Sequence, residues 1–153
     1  MTGGNTGLGK EAARHFVRLS AAKVILGCRD VKKGEAAKAD IENTTQIKDI
    51  VVVWQLDMAS YDSVRDFRRK VADLERLDAV VLNAGVATPH FKLIEGFEST
   101  ILVNVISTFL LALLILPVLR ESAVKYDITP HLTIVASDAH EQVFYSLSLR
   151  RGG

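Results

Sequence analysis

The 153 residues, 48% apolar and 24% charged, are enough for one domain with a sizeable core and exclude an intrinsically disordered chain. A net charge of +1 leaves no electrostatic footprint for nucleic acid or an anionic membrane surface. Cys28, the one cysteine, excludes an intrachain disulfide and a thiolate metal cluster, and its apolar neighbours suit a small core residue.

The chain opens on Met1-Thr2-Gly3-Gly4-Asn5-Thr6-Gly7-Leu8-Gly9, a T-G-x-x-x-G-x-G spacing that runs straight into a helical pattern. That helix is predicted over 10–20, with Ala13, Phe16 and Val17 at its spacing. A buried strand follows at 23–28, then a helix over 31–43 with Asp30 as its N-cap. The β-branched run at 50–56 reads as a strand ending at Asp57. Ser60 is placed as the N-cap of a helix over 61–75, whose apolar positions are Val64, Phe67, Val71 and Leu74. A strand at 77–82 closes on Asn83-Ala84-Gly85. After a loop through Pro89 comes a long helix from about 96 to 123, and a last strand at 131–136 ends at Ser137. No internal repeat or low-complexity segment interrupts the pattern.

Strands alternating with helices predict an α/β fold, a doubly wound parallel sheet with helices on both faces. Arg29, Asp57, Asn83 and Ser137 all stand just past strand C-termini, the edge at which such sheets bind ligands. A glycine loop opening a helix admits a phosphate to main-chain N–H groups and to the positive end of the helix. Its usual confirming context is a preceding strand, and here only Met1 precedes it.

These residues resemble the short-chain dehydrogenase/reductase family over essentially 1–145. Thr2-Gly3-(x)3-Gly7-Leu8-Gly9 resembles its cofactor loop, and Asn83-Ala84-Gly85 its N-A-G motif. Asp57 stands where the family holds the adenine ring; Asn104 resembles the structural and catalytic asparagine, and Ser137 the catalytic serine. Thr6 to Glu11 and Ala136 to His140 look most like a retinol-dehydrogenase-like branch in a fungal variant. The resemblance implies a single NAD(P)-binding Rossmann-type domain over 1–153, partial, and hydride transfer between a nicotinamide and a small-molecule carbonyl or alcohol. By the same resemblance Thr2, Gly3, Asn5, Gly7, Leu8, Gly9, Arg29, Asp57, Asn83, Ala84 and Gly85 bind the cofactor. Ser137 would orient the substrate oxygen and Asn104 would support a proton relay.

Two departures qualify that expectation. The family pair Y-x-x-x-K is absent, since Tyr61, Tyr126 and Tyr145 are followed four residues on by Arg65, Pro130 and Leu149. The family's central strand is also absent before the loop, which predicts an incomplete sheet with a gap of two strand spacings, roughly 10 Å, between the strands at 23–28 and 77–82. On this reading the chain is a family member truncated at both ends and inactive as it stands.

Several residues carry alternatives. Arg29 suits the 2′-phosphate of NADP, whereas Asp30 suits the 2′-hydroxyl of NAD unless it serves as a helix cap; the reading favours NADP. Asp57 also reads as a strand terminator, Asn83 as a turn former, and Asn104 as a residue that merely satisfies backbone groups inside a helix. The apolar stretch from Ile101 to Leu119 is long enough for a membrane span, but its polar interruptions and context favour a buried helix, used by relatives as a homodimer face. No metal site is expected, and the setting is read as cytoplasmic. A competing reading is a non-catalytic remnant or interaction module that pairs through helix 96–123; a membrane-anchored fragment is the third.

Overall fold

A computed structural model describes residues 1–137. Its elements run α1 (Gly7–Arg18), β1 (Val24–Cys28), α2 (Val31–Thr45), β2 (Val51–Gln55), α3 (Tyr61–Ala72) and β3 (Ala79–Leu82). A hairpin of β4 (Leu93–Ile94) and β5 (Phe97–Glu98) follows, then α4 (Ser99–Tyr126) and β6 (His131–Ile134). Asp30 and Ser60 cap α2 and α3 as expected: their side chains accept from Lys33 N–H at 3.1 Å and Ser63 N–H at 3.3 Å. The long helix begins three residues later than 96, because the hairpin takes 93–98 and the Glu98 carboxylate caps Thr100 N–H and Ile101 N–H.

β1 pairs with β2, and β3 with β6, both in parallel. Among the described residues, only Met1 and Thr2 lie between the two ladders. Thr2 bridges Gly27 on one side and Leu82 on the other, again in parallel. The expected gap is therefore spanned at its upper end: Thr2 N–H donates to Val81 and Gly27 N–H to Met1, at 2.9 and 2.8 Å. The strand order is β2-β1-(Met1–Thr2)-β3-β6, with two residues standing where a central strand belongs.

Strand alternation then builds two cores. Val24, Leu26 and Cys28 face α1 and α2, packing with Ala13, Val17, Ala37 and Ile41. Val80 and Leu82 face α3 and α4, packing with Val64, Phe67, Leu111 and Ile115. Arg14, itself buried, pairs with Glu11 within α1 and ties α1 to α2 through Asp40 and the Thr44 hydroxyl. Its guanidinium holds both carboxyl groups below the usual carboxylate range. Helix α4, 28 residues with a most apolar window of mean hydropathy 2.6, is long and apolar enough to cross a membrane. One face of it is committed to the core through Leu102, Leu111, Ile115 and Leu119.

Burial pushes the Met1 amine down from an ordinary 8.0 to about 6. The sign follows from linkage. At pH 8 and above the neutral amine folds without penalty. As pH falls toward 6 the unfolded chain takes up the proton first, and stability drops. The expected loss in the 153-residue polypeptide is on the order of 2 kcal/mol. Urea titrations at pH 8.5 and 5.5 measure it, and acetylating the Met1 amine should abolish that component.

Candidate functional site

A cavity of about 420 Å³ opens at the C-terminal edge of the sheet. It gathers Gly3 and Asn5 from the glycine loop, Arg29 after β1, Asp57 after β2 and Asn83 to Gly85 after β3. Four separate chain segments thus meet at the edge where strand ends and helix starts converge. Thr6, Asp30 and Lys33 also line it.

The loop and the N-A-G turn are bolted together by one hydroxyl. Thr2, 2% exposed, accepts through Oγ1 from the N–H groups of Asn83 and Ala84, at 3.0 and 2.9 Å. Asn83 returns the contact, its Nδ2 donating to the carbonyl of Thr2 at 3.3 Å. Thr2 is thereby placed under the cavity rather than in it. Gly9 completes the junction: a Cβ there would lie 2.5 Å from both Asn83 Nδ2 and the Gly3 carbonyl oxygen. Only glycine permits that approach.

Gly7, Leu8 and Gly9 form the first turn of α1 beside the cavity, and the Leu8 side chain is exposed. No side chain caps this turn, unlike α2 and α3, and no acidic residue stands in it. Its N–H groups and partial positive charge are left for an anion. Arg29 and Lys33 add two exposed cations, and among the described residues neither is in an ion pair. Asp30 spends one carboxylate oxygen on its cap, and Asp57 Oδ1 accepts from Ala59 N–H at 2.9 Å, a turn that shapes the cavity wall.

Asn104 stands in a π-helical turn of α4, Leu102–Ser107. Its amide holds one residue of the loop after Gly85 by both main-chain groups: Val86 N–H donates to Oδ1 and Nδ2 donates to the Val86 carbonyl, each at 2.8 Å. These backbone partners lie in the loop after Gly85 and not inside the helix. Ser137 lies three residues past β6, exposed and outside the cavity lining. Tyr145, Asp138 and His140 fall outside the described residues. Lys33 was missed from sequence; its signal was a place in the first turn of α2, one turn after Arg29. Cys28 is buried, as its apolar run suggested, and burial pushes its thiol up.

Residues 1–125 match the family model described as short chain dehydrogenase. The short chain dehydrogenase atnD of Emericella nidulans is 49% identical over 148 residues, covering 95% of this chain and 47% of that protein. This chain thus spans about half the length of the curated relatives it matches. Among solved structures, a short-chain dehydrogenase from Sphingobium yanoikuyae in complex with NADPH superposes with a TM-score of 0.75 at 22% identity, over 91% of this chain and 53% of that one. A 3-ketoacyl-(acyl-carrier-protein) reductase from Brucella melitensis complexed with NADH gives 0.71 at 24% identity, over 90% and 55%. At these identities the two structures establish a shared fold, and they hold different coenzymes.

Proposed function

The chain belongs to the short-chain dehydrogenase family, and on that premise we propose that it forms the coenzyme-binding part of an NADP(H)-dependent oxidoreductase acting on a small carbonyl or alcohol. The observation that carries the proposal is the uncapped N-terminus of α1, standing beside a cavity that also presents Arg29 and Lys33. The turn of Gly7, Leu8 and Gly9, with Gly3 and Asn5, would hold the pyrophosphate. Asp57 and the wall after β2 would flank the adenine, and Asn83 to Gly85 the ribose. The bound nicotinamide supplies hydride chemistry; the residues described here bind and orient it.

Ser137 is proposed to hold the substrate oxygen. Asn104 acts through Val86 and is a positioning residue for the N-A-G turn. The 153 residues contain no Y-x-x-x-K pair, so the proton-donating step of hydride transfer is not assigned to them.

Arg29 and Lys33, without an ion pair among the described residues, favour a 2′-phosphate over a bare 2′-hydroxyl, while Asp30 is engaged as a cap. Arg29→Ala and Lys33→Ala should each weaken NADPH binding about tenfold, roughly 1.4 kcal/mol, and change NADH binding less than twofold. Calorimetric titration with both coenzymes checks this. Equal losses for NADPH and NADH would refute the phosphate assignment.

Helix α4 also leaves Ile101, Val105, Phe109 and Leu113 exposed at four-residue intervals, an apolar stripe that favours a homodimer through this helix. Phe109→Glu should convert that dimer to monomer in sedimentation velocity; a wild-type chain that is already monomeric at high micromolar concentration would count against it.

A further inference from the structure

The cavity that presents Arg29 and Lys33 does not stop at Thr6. A second space of about 350 Å³ runs on between the N-terminal halves of α1 and α2. It shares Asn5, Thr6 and Lys33 with the first, so the two form one continuous groove. Lys10, Ala36 and Ala37 complete its lining. The two alanines project only methyl groups, which leaves the space between the helices open. Lys10 N–H donates to the Thr6 carbonyl at 3.2 Å, and the two residues are one helical turn apart on the same side of α1. Lys10 and Lys33 thus bring one cation from each helix to the same space.

Lys10 is already engaged: its Nζ stands 3.0 Å from Asp40 Oδ2. The same oxygen accepts from the Arg14 guanidinium at 2.7 Å. One carboxylate therefore serves two cations, and the two are held differently. Arg14 is buried, and its further bonds to the Asp40 carbonyl and the Thr44 hydroxyl fasten it to α2. The Lys10 side chain is 28% exposed and that of Asp40 45%, so water and salt screen their pair and leave it weak. If Lys10 departs, Asp40 keeps Arg14 and the tie between the helices stands. The flexible four-carbon stem of a lysine can carry its charge elsewhere in the groove.

We propose that Lys10 is a specificity residue that leaves Asp40 for the 2′-phosphate of the coenzyme. Asp40 is then a positioning residue, which holds the cation beside the groove until the phosphate arrives. The proposal rests on the reading of the cavity as an NADP(H) site. It adds a cation whose release from a carboxylate is part of binding, so that affinity depends on the junction of α1 with α2. Phosphate and carboxylate compete for one ammonium, and the phosphate has Arg29 and Lys33 beside it. Removing the charge of Asp40 should therefore strengthen binding, the reverse of what a merely structural loss would do.

The test titrates NADPH, NADH, adenosine 2′,5′-bisphosphate and adenosine 5′-monophosphate calorimetrically into the 153-residue chain. The same titrations are run on Lys10→Met, Asp40→Asn and the double variant, each first shown to be folded by urea denaturation. Lys10→Met should weaken the two 2′-phosphorylated ligands about fivefold and change the other two less than about twofold. Asp40→Asn should tighten the 2′-phosphorylated ligands about threefold, and should do nothing once Lys10 is replaced. If Asp40→Asn does not fold, the Lys10→Met comparison alone decides. Equal losses for NADPH and NADH in Lys10→Met, or a folded Asp40→Asn chain that binds NADPH no better, would overturn the proposal. A preference for NADPH that falls with Arg29→Ala but not with Lys10→Met would overturn it and leave the NADP(H) reading in place. A folded wild-type chain that binds neither coenzyme, or binds NADH as tightly as NADPH, would end both.

Discussion

Thr2→Val is expected to cost about 2–6 kcal/mol of stability, because it keeps the shape of the side chain and deletes an acceptor shared by two part-buried donors. The Thr2 hydroxyl is the partner of the N–H groups of both Asn83 and Ala84. Valine would leave those donors facing a methyl group at a site that is 2% exposed. Each orphaned N–H costs about 1–3 kcal/mol, a large part of the roughly 5–15 kcal/mol that holds a domain together. Thr2→Ser retains the acceptor and should lose about 1 kcal/mol, the value of a buried methyl group. Urea denaturation of the two variants separates the hydroxyl from the methyl. Equal losses for valine and serine would show that Thr2 contributes packing rather than hydrogen bonds.

Gly9→Ala should have the larger effect on binding. Its Cβ would stand 2.5 Å from the Gly3 carbonyl oxygen, a main-chain atom that cannot rotate aside, and 2.5 Å from Asn83 Nδ2. The helix must retreat, at a cost of about 2–3 kcal/mol. That retreat carries the first-turn N–H groups away from the cavity, so NADPH affinity should fall at least about tenfold. Gly7 provides the contrast. Its φ is +53 and an added Cβ meets nothing within 4 Å, so Gly7→Ala strains the backbone without moving the helix. A cost of about 1–2 kcal/mol is expected there, with tolerance of Asn, which adopts left-handed backbone more readily. If Gly7→Ala weakened NADPH as much as Gly9→Ala, close approach would not be the reason for Gly9.

Much of the architecture is legible in the residues because it depends on local chemistry. Asp30 and Ser60 are short oxygen-bearing side chains before apolar periodicity, and they cap as that chemistry dictates. Arg29, Asp57 and Asn83 are polar residues ending apolar runs, and the parallel sheet brings those ends to one cavity. What was not legible depends on tertiary partners. Thr2 carries a cofactor-loop signature, yet its hydroxyl turns inward to a segment 81 residues away. Asn104 stands in the long helix, and its amide reaches a loop residue 18 positions away, Val86. The hairpin at 93–98 had a local cue in Glu95-Gly96, a two-residue turn with both φ values positive, but helical spacing beyond it hid the boundary. The π-helical turn follows from packing, with the Thr108 hydroxyl donating to the Val103 carbonyl at 2.9 Å, and no periodicity announces it. A gap in place of the central strand was anticipated; that two residues would bridge both ladders was not, because a pair of residues carries no strand signal.

The central claim is that the α1 N-terminus and the two cations beside it form an NADP(H) site. The most direct measurement is a calorimetric titration of the 153-residue chain with NADPH and, separately, NADH, at the same ionic strength. One NADPH per chain, bound about tenfold or more tightly than NADH, is the predicted result. A folded chain that takes up neither coenzyme at millimolar concentration would contradict the account, and one that prefers NADH would overturn the roles given to Arg29 and Lys33.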